Sequence, residues 1–244
     1  MTSISVFFPC YNDSHTIGEL VREAERQLQT LTSDYEIIVV NDGSTDASAD
    51  VLKQLAAAIP RLKVVTHERN RGYGGALRSG FAAATKELVF YTDGDGQYDV
   101  RELPLLVMLM TGDTDFVNGI KMRRQDPAYR IHIGNLHQFL MRWTFWLPIQ
   151  DVDCDFRLIR RRILESIELH SNSGSICVEL VKHAQRAGAG FREVSVHHYA
   201  RRFGQSQFFR PGRILGTYLH LGAVWLELMI VDKVRRTPSA KIAA

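Results

Sequence analysis

Short apolar runs alternate with longer stretches of helical periodicity through the first part of the chain. Ile4 to Phe8, Tyr35 to Val40, Leu62 to Thr66 and Leu88 to Tyr91 read as strands, because each is brief, rich in β-branched or aromatic residues, and stopped by polar turn residues. Between them, Ser14 to about Leu31, the stretch ending near Ala58 and the stretch running through Ala84 carry the spacing of amphipathic helices. Successive strand-then-helix units predict a parallel sheet with right-handed crossovers, an α/β fold in which ligands bind at the carboxyl ends of the strands. The turns Pro9 to Asp13, Asn41 to Asp46, Asn70 to Ala76 and Thr92 to Asp99 all fall at that edge.

Further along, Asp115 to Gly119 reads as another strand. Asp151-Val-Asp-Cys-Asp-Phe-Arg157 reads as a bend into a second sheet edge, and Val178 to Ala187 as a helix. Phe191 to His198 alternates as a strand does. His197 and His198 are adjacent and so face opposite ways, and neither is assigned a function. Ile214 to Val231 is mainly apolar, but Arg213, His220 and Glu227 fall seven apart and form one polar stripe on a helix. Burying Glu227 at a bilayer centre would be costly, so a helix lying on a membrane surface or packed on a partner is expected, with a terminal helix buried on its own domain as the alternative. Lys233, Arg235, Arg236 and Lys241 favour anionic headgroups. The division expected is residues 1–210 as the sheet domain and 211–244 as an amphipathic helix with a basic tail, through which a homodimer could also form.

Composition narrows the classes. The 244 residues, 45% of them hydrophobic, suffice for one large core. A net charge of +3 gives no reason to expect nucleic acid. Cys10, Cys154 and Cys177 are an odd, widely spaced set without a Cys-x-x-Cys pair, which argues against a disulfide framework or zinc site and for a reducing, cytoplasmic setting. The first residues carry neither a basic leader nor a long apolar region, so no signal peptide is expected.

The candidate chemistry centres on Thr92-Asp-Gly-Asp-Gly-Gln-Tyr-Asp99. Hard cations such as Mg²⁺ or Mn²⁺ take carboxylate and amide oxygens and share them with substrate phosphates, so Asp93, Asp95 and Gln97 form a plausible open half-site. An EF-hand loop would need Gly where Tyr98 stands and Glu where Pro104 stands. A turn that merely caps the next helix near Arg101 is the plainer alternative. What favours a site is the convergence of Asn12 and Asp13, Asp42, Asn70 and Gly72, and Asp93 and Asp95 on one crevice. Gly72-x-Gly74-x-x-Leu77 lacks the third glycine of a dinucleotide fingerprint, and no P-loop is present.

These segments, with Arg201-Arg-Phe-Gly-Gln-Ser206, resemble the inverting family-2 glycosyltransferases of GT-A fold, in particular dolichyl- and polyprenyl-phosphate sugar synthases, over about residues 4 to 207. The resemblance implies a GT-A, Rossmann-like, mostly parallel sheet flanked by helices. It also implies transfer of a sugar from a nucleoside-diphosphate donor to a polyprenyl-phosphate lipid, on the inner face of a membrane. Pro9, Asn12 and Asp13 would then shape the nucleotide pocket with Gly72, Asp42 would contact base or ribose, and Asp93, Asp95 and Gln97 would surround Mg²⁺ or Mn²⁺. Arg130, with Arg124 second, would hold the acceptor phosphate among the basic residues that start at Lys121 and include Arg123. Arg201 and Ser206 would close over diphosphate and acceptor. Asp151 or Asp153 is the candidate base, although an ionised phosphate acceptor needs no strong one. Glu179 has a catalytic reading and a helix-dipole reading. Two departures stand out: Asp155 where the family has Gly or Ala, and Gln207 where it has Lys, for which Arg202 or Arg210 could compensate. The alternatives are transfer to a soluble or glycan hydroxyl, and a non-catalytic nucleotide-sugar-binding module.

Overall fold

The computed structural model describes residues 2–122, 128–203 and 211–227. The strands predicted in the first part of the chain form as β1 (Ile4–Cys10), β2 (Tyr35–Asn41), β3 (Leu62–Thr66) and β4 (Leu88–Thr92). They alternate with α1 (Ile17–Leu31), α2 (Ser48–Ala58) and α3 (Tyr73–Ala83). After a 3-10 turn (Val100–Glu102) come α4 (Leu103–Leu109), β5 (Thr114–Met122), α5 (Ala128–Phe145), β6 (Phe156–Arg160), α6 (Arg161–Glu165), α7 (Ile176–Arg186), β7 (Gly190–His197) and α8 (Pro211–Trp225).

The seven strands make one sheet in the order β3-β2-β1-β4-β6-β5-β7. β1 pairs in parallel with β2 and β4, β2 with β3, and β5 with β7, whereas β6 runs antiparallel to both β4 and β5. The 151–157 segment therefore does not lead to a sheet edge, as its sequence suggests. It feeds a strand wedged into the middle of the sheet, and Phe156, Leu158 and Ile159 are buried accordingly. Chain direction has a consequence for the site. Reversal of β6 places its start at the same end of the sheet as the carboxyl ends of the other strands, so the Asp151–Asp155 loop joins the turns after β1 to β5 and after β7.

Alternation along the strands builds two cores. Ile4, Val6 and Phe8 face one side with Ile17, Leu20 and Val21 of α1, Leu52 and Leu55 of α2, and Leu103 and Leu106 of α4. Phe7, Val89 and Tyr91 face the other with Ala76 and Leu77 of α3, Met141 and Phe145 of α5, Ile176 and Leu180 of α7, and Leu221 and Val224 of α8. α3 lies against the sheet closely enough that a Cβ on Gly80 would stand 2.3 Å from the Phe7 ring. The order of strands reverses at β1 and β4, since β2 and β3 extend to one side and the rest to the other. That switch point opens the crevice in which doubly wound sheets bind ligands.

α5 has no counterpart in the sequence reading, and α8 answers only part of the expectation for the C-terminal helix. Leu221 and Val224 are buried and the Trp225 indole donates to Thr144 O at 3.2 Å, so α8 packs on α5. Tyr218, Leu219, Leu226, His220 and Glu227 are exposed. Met229 to Val231 and the basic tail lie outside the described residues. No helix among the described residues is long and apolar enough to cross a membrane.

Candidate active site

The turn after β4 holds the acidic pair at the switch point. Asp93 accepts a 2.8 Å hydrogen bond from the Tyr73 hydroxyl, which α3 supplies from its first turn. Asp95 accepts from the Gln97 backbone N–H at 3.0 Å and pairs with the guanidinium of Arg201, which arrives from the segment after β7. Gln97 donates its side-chain amide to Tyr199 O at 3.0 Å and receives the Tyr199 N–H on its own carbonyl at 2.8 Å. This clasp ties the segment that carries Arg201 to the acidic turn, and it uses the Gln97 amide nitrogen as donor.

Charge is crowded here. Burial pushes Asp93 well above the usual carboxylate range, and the charges of Asp155 and Asp95 push in the same direction. Asp95 is also raised by burial, against the opposing pull of Arg201. Asp13, whose carboxylate accepts from Tyr11 N–H at 3.0 Å, is lifted from 3.8 to about 6, by burial first and by the Asp95 charge as well. A carboxylate raised on folding stabilises the protein most when protonated. The contribution of Asp13 is therefore full below about pH 4 and is lost as pH rises through about 6. Asp13→Asn, which keeps an acceptor for Tyr11, should melt with the wild type near pH 4 and above it near pH 7. Coincident melting temperatures at both pH values would show that Asp13 ionises normally.

The remaining predicted residues reach the same edge in other capacities. Asn12 adopts φ 61°, and its Oδ1 accepts from Thr45 N at 2.7 Å and Asp46 N at 3.3 Å, stitching the β1 and β2 turns together. The Pro9 carbonyl packs so closely that a Cβ on Gly94 would stand 2.6 Å from it, which ties β1 to the acidic turn. Asp42 is buried, and its Oδ1 meets His67 Nδ1 at 2.6 Å and Arg71 N at 2.8 Å while Oδ2 accepts from Gly72 N at 3.1 Å. Its chief duty is to shape the third turn. A nucleoside contact by Asp42 would have to use the acceptor capacity left on Oδ2. Gly72 has φ 83° and a Cβ there would lie 2.4 Å from Asn172 O, and the same carbonyl accepts from Gly74 N at 3.0 Å. The glycines of this turn thus serve close packing against the 171–172 loop, and a donor at the α3 N-terminus is already taken.

Glu179 explains that loop. Its buried carboxylate accepts from His170 N at 2.7 Å and Ser171 N at 2.9 Å, so it holds the strap that presses on Gly72 and Gly74. Asp151 is similarly engaged, by Gln138 Nε2 at 2.5 Å and Lys121 N at 3.2 Å, with Lys121 Nζ at 3.6 Å. Asp153 gives its backbone oxygen to Lys121 Nζ at 2.6 Å. The side chain of Arg130, and Arg123, Arg124, Ser206, Gln207 and Arg210, lie outside the described residues. Sequence reasoning missed Tyr73, although it sits inside a motif already singled out, and it noted Asp155 only as a departure.

The likeness to known proteins accords with this geometry. Residues 5–168 match the sequence model described as Glycosyl transferase family 2. The chain belongs to glycosyl transferase family 2. This family-2 chain is 33% identical over 207 residues to an undecaprenyl-phosphate 4-deoxy-4-formamido-L-arabinose transferase of Enterobacter sp. (strain 638), with 84% of the chain and 62% of the relative covered. A protein of the same name from Sodalis glossinidius is 32% identical over the same shares. The chain thus spans less than two thirds of the length of these curated relatives. In fold it is similar to glucosyl-3-phosphoglycerate synthase of Mycobacterium tuberculosis. The structure of that enzyme with Mn²⁺, UDP and phosphoglyceric acid aligns at TM-score 0.70 and 22% identity, over 93% of this chain and 78% of that one. Its structure with Mg²⁺ and UDP aligns at TM-score 0.69 and 20% identity, over 93% and 79%. The GT-A expectation is thereby met.

Proposed function

We propose that this family-2 chain is a metal-dependent, inverting transferase that moves one sugar from a nucleoside-diphosphate donor to a polyprenyl phosphate. The observation that carries the reading is the meeting of Asp93, Asp95 and Arg201 at the switch point of the sheet. Two hard carboxylates crowded by mutual repulsion suit a divalent cation. Among the described residues no three His, Cys, Asp or Glu side chains gather to bind one unaided, and so substrate phosphates would complete the shell. Mg²⁺ or Mn²⁺ held by Asp93 and Asp95 beside Gln97 would offset the charge that develops on a departing diphosphate. Arg201 lies where its guanidinium can exchange Asp95 for phosphate oxygens, and the stitched β1 and β2 turns wall the nucleoside.

The acceptor reading rests on the names of the curated relatives and on a second hollow. A cavity of about 830 Å³ is lined by Lys121 and Asp151, by Phe139, Trp143 and Trp146 of α5 and its exit, and by Arg142. Aromatic walls with a basic residue suit a lipid phosphate, with Arg130 and Arg124 as further candidate ligands. Leu136, Phe139, Leu140 and Trp143 recur at helical spacing on α5 and are exposed, as are Trp146 and Leu219. Such a face supports peripheral attachment to a membrane surface. A phosphate acceptor is already nucleophilic, which agrees with Asp151 and Glu179 being engaged in structural bonds. Asp153 would be needed as a base only for a hydroxyl acceptor.

Nucleotide sugars tested in turn with polyprenyl phosphate and either cation should yield labelled lipid with at least one donor, and none once the cation is chelated. Product only on soluble or glycan hydroxyls would favour the second acceptor class, and nucleotide-sugar binding without turnover a binding module. Sedimentation with anionic vesicles at low salt is expected for the same protein; a dimer that ignores vesicles would assign the exposed face to a second copy.

A further inference from the structure

Asp155 stands beside the acidic turn with half of its carboxylate uncommitted. In the antiparallel register Tyr91 faces Arg157 and Thr92 faces Phe156, so the next position along sets Asp155 across from Asp93 on the same face of the sheet. The protein donors all reach one oxygen. Oδ1 receives the Tyr91 hydroxyl at 3.3 Å and the Cys177 thiol at 3.2 Å, and the Arg157 guanidinium comes no nearer than 3.9 Å. Among the described residues Oδ2 has no hydrogen-bond partner, and the side chain keeps 13% of its surface exposed at the crevice edge. A thiol and a long phenol bond are weak compensation for a buried carboxylate, whose pKa is raised by that burial. Glu179 and Asp151, by contrast, have both oxygens met by backbone N–H, side-chain amide or ammonium donors.

We propose that Asp155 is a specificity-determining residue whose Oδ2 accepts a hydrogen bond from a hydroxyl or N–H substituent of the transferred sugar. The inference rests on the donor reading above and deepens it. Its basis is geometric: a carboxylate oxygen that no donor among the described residues reaches lies next to the carboxylate that would carry the cation at the diphosphate, and the sugar is the part of the donor that must lie just beyond that diphosphate. A site built to bond one polar substituent discriminates strongly against donors that lack it, because its own buried group is then left unpaired.

Asp155→Asn and Asp155→Ala are tested by calorimetric titration with free nucleoside diphosphate and with the intact nucleotide sugar, each with Mn²⁺. Free diphosphate should bind within about twofold of wild type, which also reports a folded pocket, while the nucleotide sugar should weaken by roughly ten- to a hundredfold. In a series of deoxy donors, the wild type should lose a similar factor on one member and the variants should lose nothing further on that member. A uniform loss across all donors, or equal loss of diphosphate and nucleotide sugar, would make Asp155 structural and overturn the assignment. A wild type that binds diphosphate and nucleotide sugar normally while the variants show no loss would overturn this inference alone. Failure of the wild type to bind any nucleotide sugar would remove the donor reading with it.

Discussion

Asp95→Asn is expected to lower sugar transfer at least about a hundredfold, roughly 2.7 kcal/mol of transition-state stabilisation, while the protein stays folded. The two halves of this expectation have one cause. Asp95 is buried beside Asp93, with Asp13 and Asp155 acting on the same cluster, and its pKa is raised even though Arg201 is paired with it. Removing that charge relieves repulsion, so thermal stability should hold or rise. The same removal takes away half of the anionic pair proposed to carry the cation. Stability and activity then move apart, as is common where function depends on a destabilised site. Steady-state kinetics with cation titration, beside thermal melts, makes the test. A near-normal rate would sink the metal assignment, and loss of rate with loss of the fold would place Asp95 in the structure instead.

Arg157→Met should destabilise the protein by about 3–5 kcal/mol, measured by denaturant unfolding. Arg157 is completely buried in the middle of the sheet. Its Nε donates to Asn118 Oδ1 at 2.8 Å, its Nη1 to the Tyr91 hydroxyl at 2.8 Å, and its Nη2 to Val152 O. Methionine fills much of the volume and satisfies none of these acceptors. It also strips Asp155 of its nearest cation. The double variant Arg157→Met with Asp155→Asn should recover part of the loss, because the uncompensated charge is gone while the orphaned acceptors persist. A loss below about 1 kcal/mol for the single variant would mean that the buried guanidinium is dispensable to the fold.

Much of this protein can be read from its residues in order. The strand-helix alternation to Tyr91 is local: strand ends and turn chemistry depend on near neighbours, and β1 to β4 form where the apolar runs lie. Parallel strands in turn force the turns to one edge, so the convergence of Asn12, Asp42, Gly72 and Asp93 follows from periodicity and chain direction. The pattern of the acidic motif was equally plain, because alternate oxygen-bearing side chains after a buried strand are visible as sequence. Direction and pairing of β6 were not visible. A buried strand has the same pattern whether it lies at an edge or centre, parallel or antiparallel, and only packing against β4 and β5 selects among these. Partner choice was beyond sequence for a similar reason. Asp42 bonding Arg71 and Gly72, Glu179 holding His170 and Ser171, and Arg201 reaching Asp95 join residues that lie 8 to 106 positions apart. Residue type says that a carboxylate must find donors, whereas the tertiary structure decides which donors it meets. That decision separates the carboxylates spent on holding loops from Asp93, Asp95 and Asp155, whose charges are crowded together by burial at the crevice, where the proposed cation and donor would meet them.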